Sequence, residues 1–548
     1  MGVPRRRSHP DRAALARTSP HHPPGDGLMG AKPNYVMIVT DQHCAGWLGC
    51  AGHRVVRTPN IDRLAKRGVR FTEFHTAAPV CMPNRASILT ARYPSVNGLK
   101  YNGCALSPNA RTFVEVLKDG GYQTAAIGKS HLQPFTGIDV ARIKSPDPSV
   151  PELEAWKDDF HGLDIESPRH YQNDDRLEFP LPYYGYDYVD MVTDHGDRAG
   201  GHYLQWLREQ DPKWEEYRDR ENQLPHNYTC PQAKRTRLPV ELYPTRYIEN
   251  SACDWLQNRR RDNSPFFMFV SFPDPHHPFN PPGEYWDLFH PGQFHIDAPY
   301  EDFVTPPPPL KFAHEQLARG ERPATDQEAI AASSQHCLEA MALTAGMIAM
   351  IDDAVGRILD TLTAEGLDEN TVVIFTSDHG DYLGDGNLLL KGPWIRQSTH
   401  HVPFIWSDPD GDAASQTDVL GSAVDIGPTI LARSGLKGYF GMQGRNLIAD
   451  VEANKGRDAL LIEFNDNLPR MGLGRAARAR TLYTPDHRLT LYAGENWGEL
   501  YDTRSDPYHV RNLWDDPACS ALKSDLLLQL GEALALNMDE SPRAVKRA

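Results

Sequence analysis

The sequence has little cysteine for its length, and no pair has the spacing of a disulfide or zinc module. Its 548 residues contain eight cysteines and no Cys-x-x-Cys. Small secreted modules are dense in disulfides, and zinc ribbons use closely paired cysteines. The cysteine pattern therefore argues against a disulfide scaffold and against a structural zinc ribbon.

Long apolar runs are also missing. A membrane-spanning helix needs about 20 consecutive apolar residues, and the chain has no such run, so we expect no membrane partner. Residues 1–30 contain a run of three consecutive arginines, at positions 5–7, and several prolines, but not the apolar core of a signal peptide. This segment predicts a disordered tail, leaves Met29 as an alternative start, and makes the cytoplasm the expected location.

Basic residues are in deficit. The chain has 57 lysines and arginines against 73 aspartates and glutamates, a net charge of −16. Nucleic acids bind to basic faces, so we expect no nucleic-acid partner, whereas a small anion needs only a few local cations. Hydrophobic residues at 40% and charged residues at 24% are typical of a soluble globular protein. The length predicts one large domain with a smaller one.

Short apolar strands, each followed by polar residues, recur along the chain. The predicted strands span 35–40, 122–127, 265–272 and 371–376. The polar residues that follow them are, in order, Asp41-Gln42, Lys129-Ser130-His131, Asp274-Pro275-His276-His277 and Asp378-His379. Open α/β sheets bind ligands where the carboxyl ends of parallel strands meet. Each group alone would be a turn, but together they predict a site at one sheet edge.

A cysteine stands at the start of a predicted helix in residues 79–92, Pro-Val-Cys-Met-Pro-Asn-Arg-Ala-Ser-Ile-Leu-Thr-Ala-Arg. Free N–H groups and the helix dipole favour an anion at such a terminus. Taken alone, however, Cys81 is more often a small buried hydrophobic residue than a catalyst. The interpretation depends on its partners.

Several of these motifs resemble the type I sulfatases of the alkaline-phosphatase-like superfamily. They are Asp41-Gln42, the Thr-Pro-Asn-Ile-Asp-Arg-Leu helix at 58–64, Cys81-Met-Pro-Asn-Arg85, Gly128-Lys-Ser-His131 and Asp378-His379. In that family the cysteine of a Cys-x-Pro-x-Arg motif is converted to formylglycine, an aldehyde whose hydrate is the nucleophile. Asn84 stands where serine is commoner, and Ala91 where glycine is commoner, but Cys81, Pro83 and Arg85 keep the core of the motif. In its metal-site pattern the chain resembles choline sulfatases and phosphonate monoester hydrolases.

The resemblance implies a fold and a division of the chain. The expected fold is α/β, an alkaline-phosphatase-like central mixed, mostly parallel sheet flanked by helices, with a smaller C-terminal antiparallel sheet and a helix. The expected units are a catalytic domain at 31–455 and a C-terminal subdomain at 456–548. Within the first, 132–242 is expected to be a substrate-side insertion. Its aromatic residues either line a pocket or pack a subsidiary cluster.

The resemblance also implies roles for single residues. Formylglycine at position 81 would be nucleophile and metal ligand, beside the ligands Asp41, Asp378 and His379, with Gln42 as a further candidate. His131 would be the base for elimination and His276 the general acid, with His277 as an alternative to His276. The residues expected to stabilise the sulfuryl charge are Arg85, Lys129, Lys391 and Asn102.

The chemistry accounts for these residue types. A sulfate monoester is anionic with a poor leaving group, so cations must neutralise charge that shifts in the transition state. A thiol nucleophile would leave a product that water must still attack at sulfur. A hydrated aldehyde avoids this, because its second hydroxyl expels sulfate as the C=O re-forms.

The expected cofactor is one divalent metal ion. Oxygen ligands favour Ca²⁺ or Mg²⁺, and an imidazole ligand also admits Mn²⁺ or Zn²⁺. We expect Ca²⁺ first, with Mn²⁺ close behind. Expected partners are a small anionic sulfate ester and, during maturation, a formylglycine-generating enzyme; a homo-oligomer is left open.

Two other functions compete with a sulfuric ester hydrolase of the arylsulfatase type. The first is a phosphonate monoester or phosphodiester hydrolase at the same site, against which Lys129 and His131 weigh. The second is a non-catalytic binding protein that keeps Cys81 as a thiol, because a fold does not imply a function.

Overall fold

The computed structural model describes residues 32–136, 157, 162–321, 329–411 and 414–546. The predicted tail at 1–30, with Met29, and part of the 132–242 region lie outside the described residues. The strands are β1 (Asn34–Thr40), β2 (Val69–Phe71), β3 (Phe74–His75), β4 (Gln123–Gly128), β5 (Tyr188–Thr193), β6 (Gly200–Gly201), β7 (Phe266–Ser271), β8 (Ile330–Ala331), β9 (Thr371–Ser377), β10 (Leu388–Leu389), β11 (Phe404–Ser407), β12 (Ser415–Thr417), β13 (Gly421–Ser422), β14 (Leu460–Asn465), β15 (Arg478–Tyr483), β16 (His487–Tyr492) and β17 (Gly498–Asp502).

The α-helices follow the same numbering along the described chain. They are α1 (Pro59–Arg67), α2 (Cys81–Thr90), α3 (Pro94–Asn97), α4 (Phe113–Asp119), α5 (His202–Gln210), α6 (Trp214–Arg218), α7 (Pro244–Asp254), α8 (Pro308–Ala318), α9 (Ser334–Ala364), α10 (Gln397–His400), α11 (Ile426–Arg433), α12 (Leu447–Glu452) and α13 (Ser520–Leu536). In the part of the chain that the structure describes, no helix is both long and apolar enough to cross a membrane.

A nine-stranded mixed sheet forms the centre, in the order β12-β2-β11-β9-β1-β7-β4-β5-β6. Its middle five strands, β9, β1, β7, β4 and β5, run parallel. Strand β11 pairs antiparallel with β9, and β6 pairs antiparallel with β5. The four predicted strands therefore lie side by side, and their polar carboxyl ends meet at one edge, as expected for parallel strands.

Both faces of this sheet are covered, which explains why its central strands β1, β7 and β9 are mostly apolar. Side chains of β1 alternate between two buried clusters, with Tyr35, Met37 and Val39 on one face and Val36 and Ile38 on the other. Helices α2, α4 and α11 supply residues to the first cluster, and α1, α5, α7 and α9 to the second. Because neighbouring residues face opposite sides of the sheet, the packing of a strand in the two clusters also determines which side its last residue faces.

A smaller four-stranded antiparallel sheet, β14-β15-β16-β17, lies near the C-terminus. Helix α13 packs on it, with Leu526 and Leu530 buried in the same cluster as Leu482 and Leu500. The predicted fold class is thereby confirmed.

The 132–242 region contributes to the central sheet where it is described. Residues 188–193 form β5, which pairs parallel with β4. Tyr183, Tyr184 and Tyr186 are buried in the large cluster on one face of the sheet. Of the two interpretations offered for these aromatic side chains, the structure favours packing.

Candidate active site

Four side chains with metal-ligand atoms converge at the carboxyl ends of β1 and β9 and at the start of α2. They are Asp41, Cys81, Asp378 and His379, whose ligand atoms all lie within 4.8 Å of one another and are all buried. Nε2 of His379 lies 3.6 Å from Oδ1 of Asp41 and 3.7 Å from Oδ1 of Asp378. The sulfur of Cys81 lies 3.0 Å from the same Nε2.

This donor set fits a divalent cation. Nδ1 of His379 lies 2.8 Å from the carbonyl oxygen of Gly380, so the ring donates there and presents the Nε2 lone pair to the cluster. Two carboxylates and one imidazole suit Ca²⁺, Mg²⁺ or Mn²⁺. Gln42, considered above as a further ligand, has its amide oxygen 2.7 Å from Nζ of Lys391.

Cys81 is the first residue of a helix that is buried along its whole length. Asn84 holds the first turn of this helix in place through two hydrogen bonds. Its Oδ1 accepts from the N–H of Ala77, and its Nδ2 donates to the carbonyl oxygen of Asp378. Burial and Asp41 oppose ionisation of the Cys81 thiol. Nearby basic groups, Lys391 first, outweigh these effects and lower the pKa of the thiol.

Arg85 lies one turn further along α2 and is buried against the ligand carboxylates. Its Nε donates to Oδ2 of Asp378 at 2.7 Å, and its Nη2 to Oδ2 of Asp41 at 3.1 Å. Nη1 donates to Ser271 Oγ and to the carbonyl oxygen of Lys129. Arg85 therefore neutralises and orients the two aspartates, in addition to any effect on a bound anion.

Lys129 follows β4 at a tight junction with β7. A side chain at Gly128 would place its Cβ 2.0 Å from the carbonyl oxygen of Ser271, which explains the glycine before the lysine. Nζ of Lys129 lies 2.5 Å from Oδ2 of Asp41. Burial opposes ionisation of Asp41, but Lys129 and Arg85 hold the pKa of its carboxyl well below its ordinary value.

His276 and Lys391 form the opposite side of the site. Nζ of Lys391 lies 2.8 Å from Nε2 of His276, whose Nδ1 lies 2.6 Å from the carbonyl oxygen of His277. The Nδ1 of His277 lies 3.3 Å from Nε2 of Gln42. Of the two histidines left open by the sequence, His276 is thus the one paired with Lys391.

His131 and Asn102 lie on the remaining sides. The His131 ring stacks on Phe135 with centroids 3.9 Å apart, and burial, with Lys129, lowers its pKa well below the ordinary value. Its Nδ1 has no hydrogen-bond partner among the described residues. Asn102 is half-buried, and its Oδ1 accepts from the N–H of Met82, the residue after Cys81.

His195 also belongs to the site, although no sequence motif predicted it. It follows β5, and its buried ring lies face to face with His276 at 3.6 Å, with Nε2 2.6 Å from Nζ of Lys129. Burial and Lys129 lower its pKa to about 4. Two signals in the sequence could have found it: its place after a strand, and the tripeptide Asp194-His195-Gly196, which repeats Asp378-His379-Gly380.

Sequence comparisons agree with this geometry. A sequence model of the family described as "Sulfatase" matches residues 33–177 and 221–436, and one described as "N-sulphoglucosamine sulphohydrolase, C-terminal" matches residues 391–535. The chain is 28% identical over 497 residues to the "Uncharacterized sulfatase YidJ" of Escherichia coli (strain K12), covering 90% of this chain and 86% of that protein. It is 24% identical over 496 residues to the choline-sulfatase of Rhizobium meliloti (strain 1021), covering 89% and 83%.

A similar solved structure is the phosphonate monoester hydrolase of Agrobacterium radiobacter. The TM-score is 0.73 at 25% identity, and the match covers 93% of this chain and 97% of that one. Both kinds of enzyme that the metal-site pattern resembles are therefore among the similar proteins.

Proposed function

The chain belongs to the sulfatase family, and we propose that it hydrolyses a sulfate monoester to an alcohol or phenol and inorganic sulfate, with formylglycine at position 81 as nucleophile. The observation that carries the proposal is the position of Cys81. Its sulfur points into a buried cluster of three metal-ligand side chains, with Lys129 and Lys391 among the charges that act on it.

The family implies a divalent cation and a formylglycine, and the residues present fit both. When bound, the cation would be held by Asp41, Asp378, His379 and the side chain at position 81, and would neutralise charge on the sulfuryl oxygens. The hydrated aldehyde would supply one oxygen to attack sulfur and a second to expel sulfate. Arg85 holds both ligand carboxylates in place through hydrogen bonds.

Proton transfer is assigned to two histidines. The leaving oxygen needs a proton, and Lys391 holds one 2.8 Å from Nε2 of His276, so we assign this pair as the general acid. His131 is assigned as the base, because its Nδ1 has no other partner among the described residues. Lys129, Lys391 and Asn102 are assigned to orient the anion.

We propose Ca²⁺ as the metal, with Mn²⁺ and Mg²⁺ as the alternatives, since the donor set is rich in oxygen. We further propose that a formylglycine-generating enzyme converts Cys81, that the substrate is a small anionic sulfate ester, and that the catalytic unit is 31–455 with a subdomain at 456–548. Cytoplasmic location and a homo-oligomer stay predictions.

The deciding experiment compares an aryl sulfate with an aryl phosphonate monoester that shares its leaving group. The purified protein, with Cys81 converted and Ca²⁺ present, should show the higher kcat/KM on the sulfate. Cys81→Ala is the blank for contaminating hydrolases. A higher kcat/KM on the phosphonate would overturn the proposal.

The second candidate is a phosphonate monoester or phosphodiester hydrolase, supported by the Asp41-Gln42 and Asp378-His379 pattern and by the similar solved structure. Lys129 and His131 weigh against it. The third hypothesis is a binding protein with unmodified Cys81. The similar proteins do not support it, because they carry the names of enzymes.

A further inference from the structure

Three imidazole rings form a continuous stack across the site. His195 and His276 lie 3.6 Å apart between centroids with their planes 10° apart, and His276 and His277 lie 4.0 Å apart at 26°. All three side chains are buried. Only His276 and His277 come from one segment, since His195 follows a different strand of the sheet.

The hydrogen bonds of His195 define where its ring proton lies. Nε2 is 2.6 Å from Nζ of Lys129, and Nδ1 is 3.2 Å from Oδ1 of Asp194. An ammonium group only donates, so Nε2 must carry the lone pair. Nδ1 therefore carries the hydrogen and donates it to Asp194, an arrangement in which a carboxylate fixes the tautomer.

Lys129 is consequently held by two acceptors. One is Oδ2 of Asp41 at 2.5 Å and the other is Nε2 of His195 at 2.6 Å. An ammonium group has three N–H donors, so one remains for a ligand. The direction of this third N–H is set by the hydrogen bonds that the other two N–H groups make. Without His195, Asp41 would be the only one of these two acceptors left to hold the ammonium group.

His276 is held by His195 in another way. Its Nε2 faces Lys391 and its Nδ1 faces the carbonyl oxygen of His277, and both contacts lie in the plane of the ring. The flat face of His195 fixes that plane from one side and His277 from the other.

We propose that His195 is a positioning residue for sulfate transfer. Through Nε2 it directs the free N–H of Lys129 at the sulfuryl group, and through its ring face it holds His276 at the leaving oxygen. The proposal rests on the proposed function, whose residues His195 contacts.

Two variants separate these contacts. His195→Gln can place an amide oxygen near Lys129 but has no ring to stack, whereas His195→Phe stacks but cannot accept. His226→Ala is the control, because His226 also packs on aromatic rings, Tyr228 and Trp286, but lies outside the site. Thermal unfolding of each variant confirms that it is folded.

The first readout is the dissociation constant of inorganic sulfate, measured by calorimetry on the metal-loaded protein. His195→Phe should weaken sulfate binding by about 10- to 100-fold, the usual effect of losing a hydrogen bond to a charged group. His195→Gln and His226→Ala should stay close to wild type. Because this readout needs no turnover, it tests the Lys129 contact even if aryl sulfates prove not to be substrates.

The second readout is kcat/KM across aryl sulfates whose leaving groups differ in pKa. His195→Gln should lose the most on the poorest leaving groups, because His276 is less well oriented, and His195→Phe should lose a constant factor. If both variants lose kcat/KM equally across the series and bind sulfate like the wild type, His195 has only a structural role. That result would overturn the proposal.

Discussion

The sulfur of Cys81 lies 3.0 Å from Nε2 of His379, although 298 residues separate them in the chain. One is the first residue of α2 and the other follows β9. Both are buried, so the contact is made by the fold and not by flexible surface groups. The side chain proposed as nucleophile is thus held directly against a proposed metal ligand.

Removal of the metal should abolish turnover and lower the stability of the protein. Asp41, Asp378 and His379 are buried together, and a cation bound only by the folded state adds about 2.7 kcal/mol at one hundred times its dissociation constant. Chelation should therefore lower Tm and end aryl sulfate hydrolysis, with Ca²⁺ restoring both. Full turnover in protein shown by elemental analysis to be metal-free would contradict this account.

Arg85→Ala should be strongly destabilising. Arg85 pairs with Asp41 and Asp378 in the interior, and removing one partner of a buried ion pair costs about 3–5 kcal/mol. The matched control is Arg63→Ala, whose 3.0 Å pair with Asp360 lies at the surface and should be worth less than about 1 kcal/mol. Denaturant unfolding of both variants checks the difference, and equal losses would contradict it.

Gln42→Ala should impair departure of the leaving group more than metal binding. The amide oxygen of Gln42 holds Lys391, and its Nε2 lies 2.5 Å from Oδ2 of Asp381. The loss in kcat/KM should therefore grow with the pKa of the leaving group, while the metal dissociation constant is retained. Weakening of metal binding by about tenfold or more would instead favour a role in the metal shell.

The matched control for Gln42→Ala is Gln205→Ala. Gln205 is also a buried glutamine, and its amide donates to the carbonyl oxygens of Asn173 and Asp175, outside the site. This variant should hydrolyse every aryl sulfate of the series like the wild type.

Asp352 should make stability depend on pH. It accepts from the N–H groups of Asn60 and Ile61 at the start of α1, and burial raises the pKa of its carboxyl from 3.8 to about 6. The folded state therefore keeps a proton that the unfolded state loses, and the free energy of unfolding falls as pH rises from about 4 to about 6.

Asp352→Asn isolates this effect, because it removes the titrating group. The free energy of unfolding of wild type minus that of the variant should fall by up to about 3 kcal/mol across the window. Asp360→Asn is the control for the substitution itself, because Asp360 lies on the exposed side of α9, the helix that also contains Asp352. A difference that does not change with pH would contradict the prediction.

Much of the site could be predicted because parallel strands end at one edge. Asp41, Lys129, His276 and Asp378 each follow an apolar run, and the structure brings them together. The expected C-terminal antiparallel sheet and its helix are also present, as β14–β17 and α13. Local pattern was sufficient for these elements.

The partners of His195 and Asp352 could not be predicted. His195 reaches Lys129 only because β5 pairs with β4, and strand order is a property of the whole sheet. Asp352 is buried in α9 and accepts from the N–H of Ile61 in the first turn of a different helix, α1. This contact depends on how α9 packs on α1.

The central claim is that Cys81, once converted, is the nucleophile. The most direct measurement is peptide mass spectrometry of the Cys81 segment in preparations with different degrees of conversion, each also assayed for aryl sulfate turnover. The account predicts turnover proportional to the fraction of formylglycine, with none in fully unconverted protein. Turnover that is independent of this fraction, or present with cysteine alone, would contradict it.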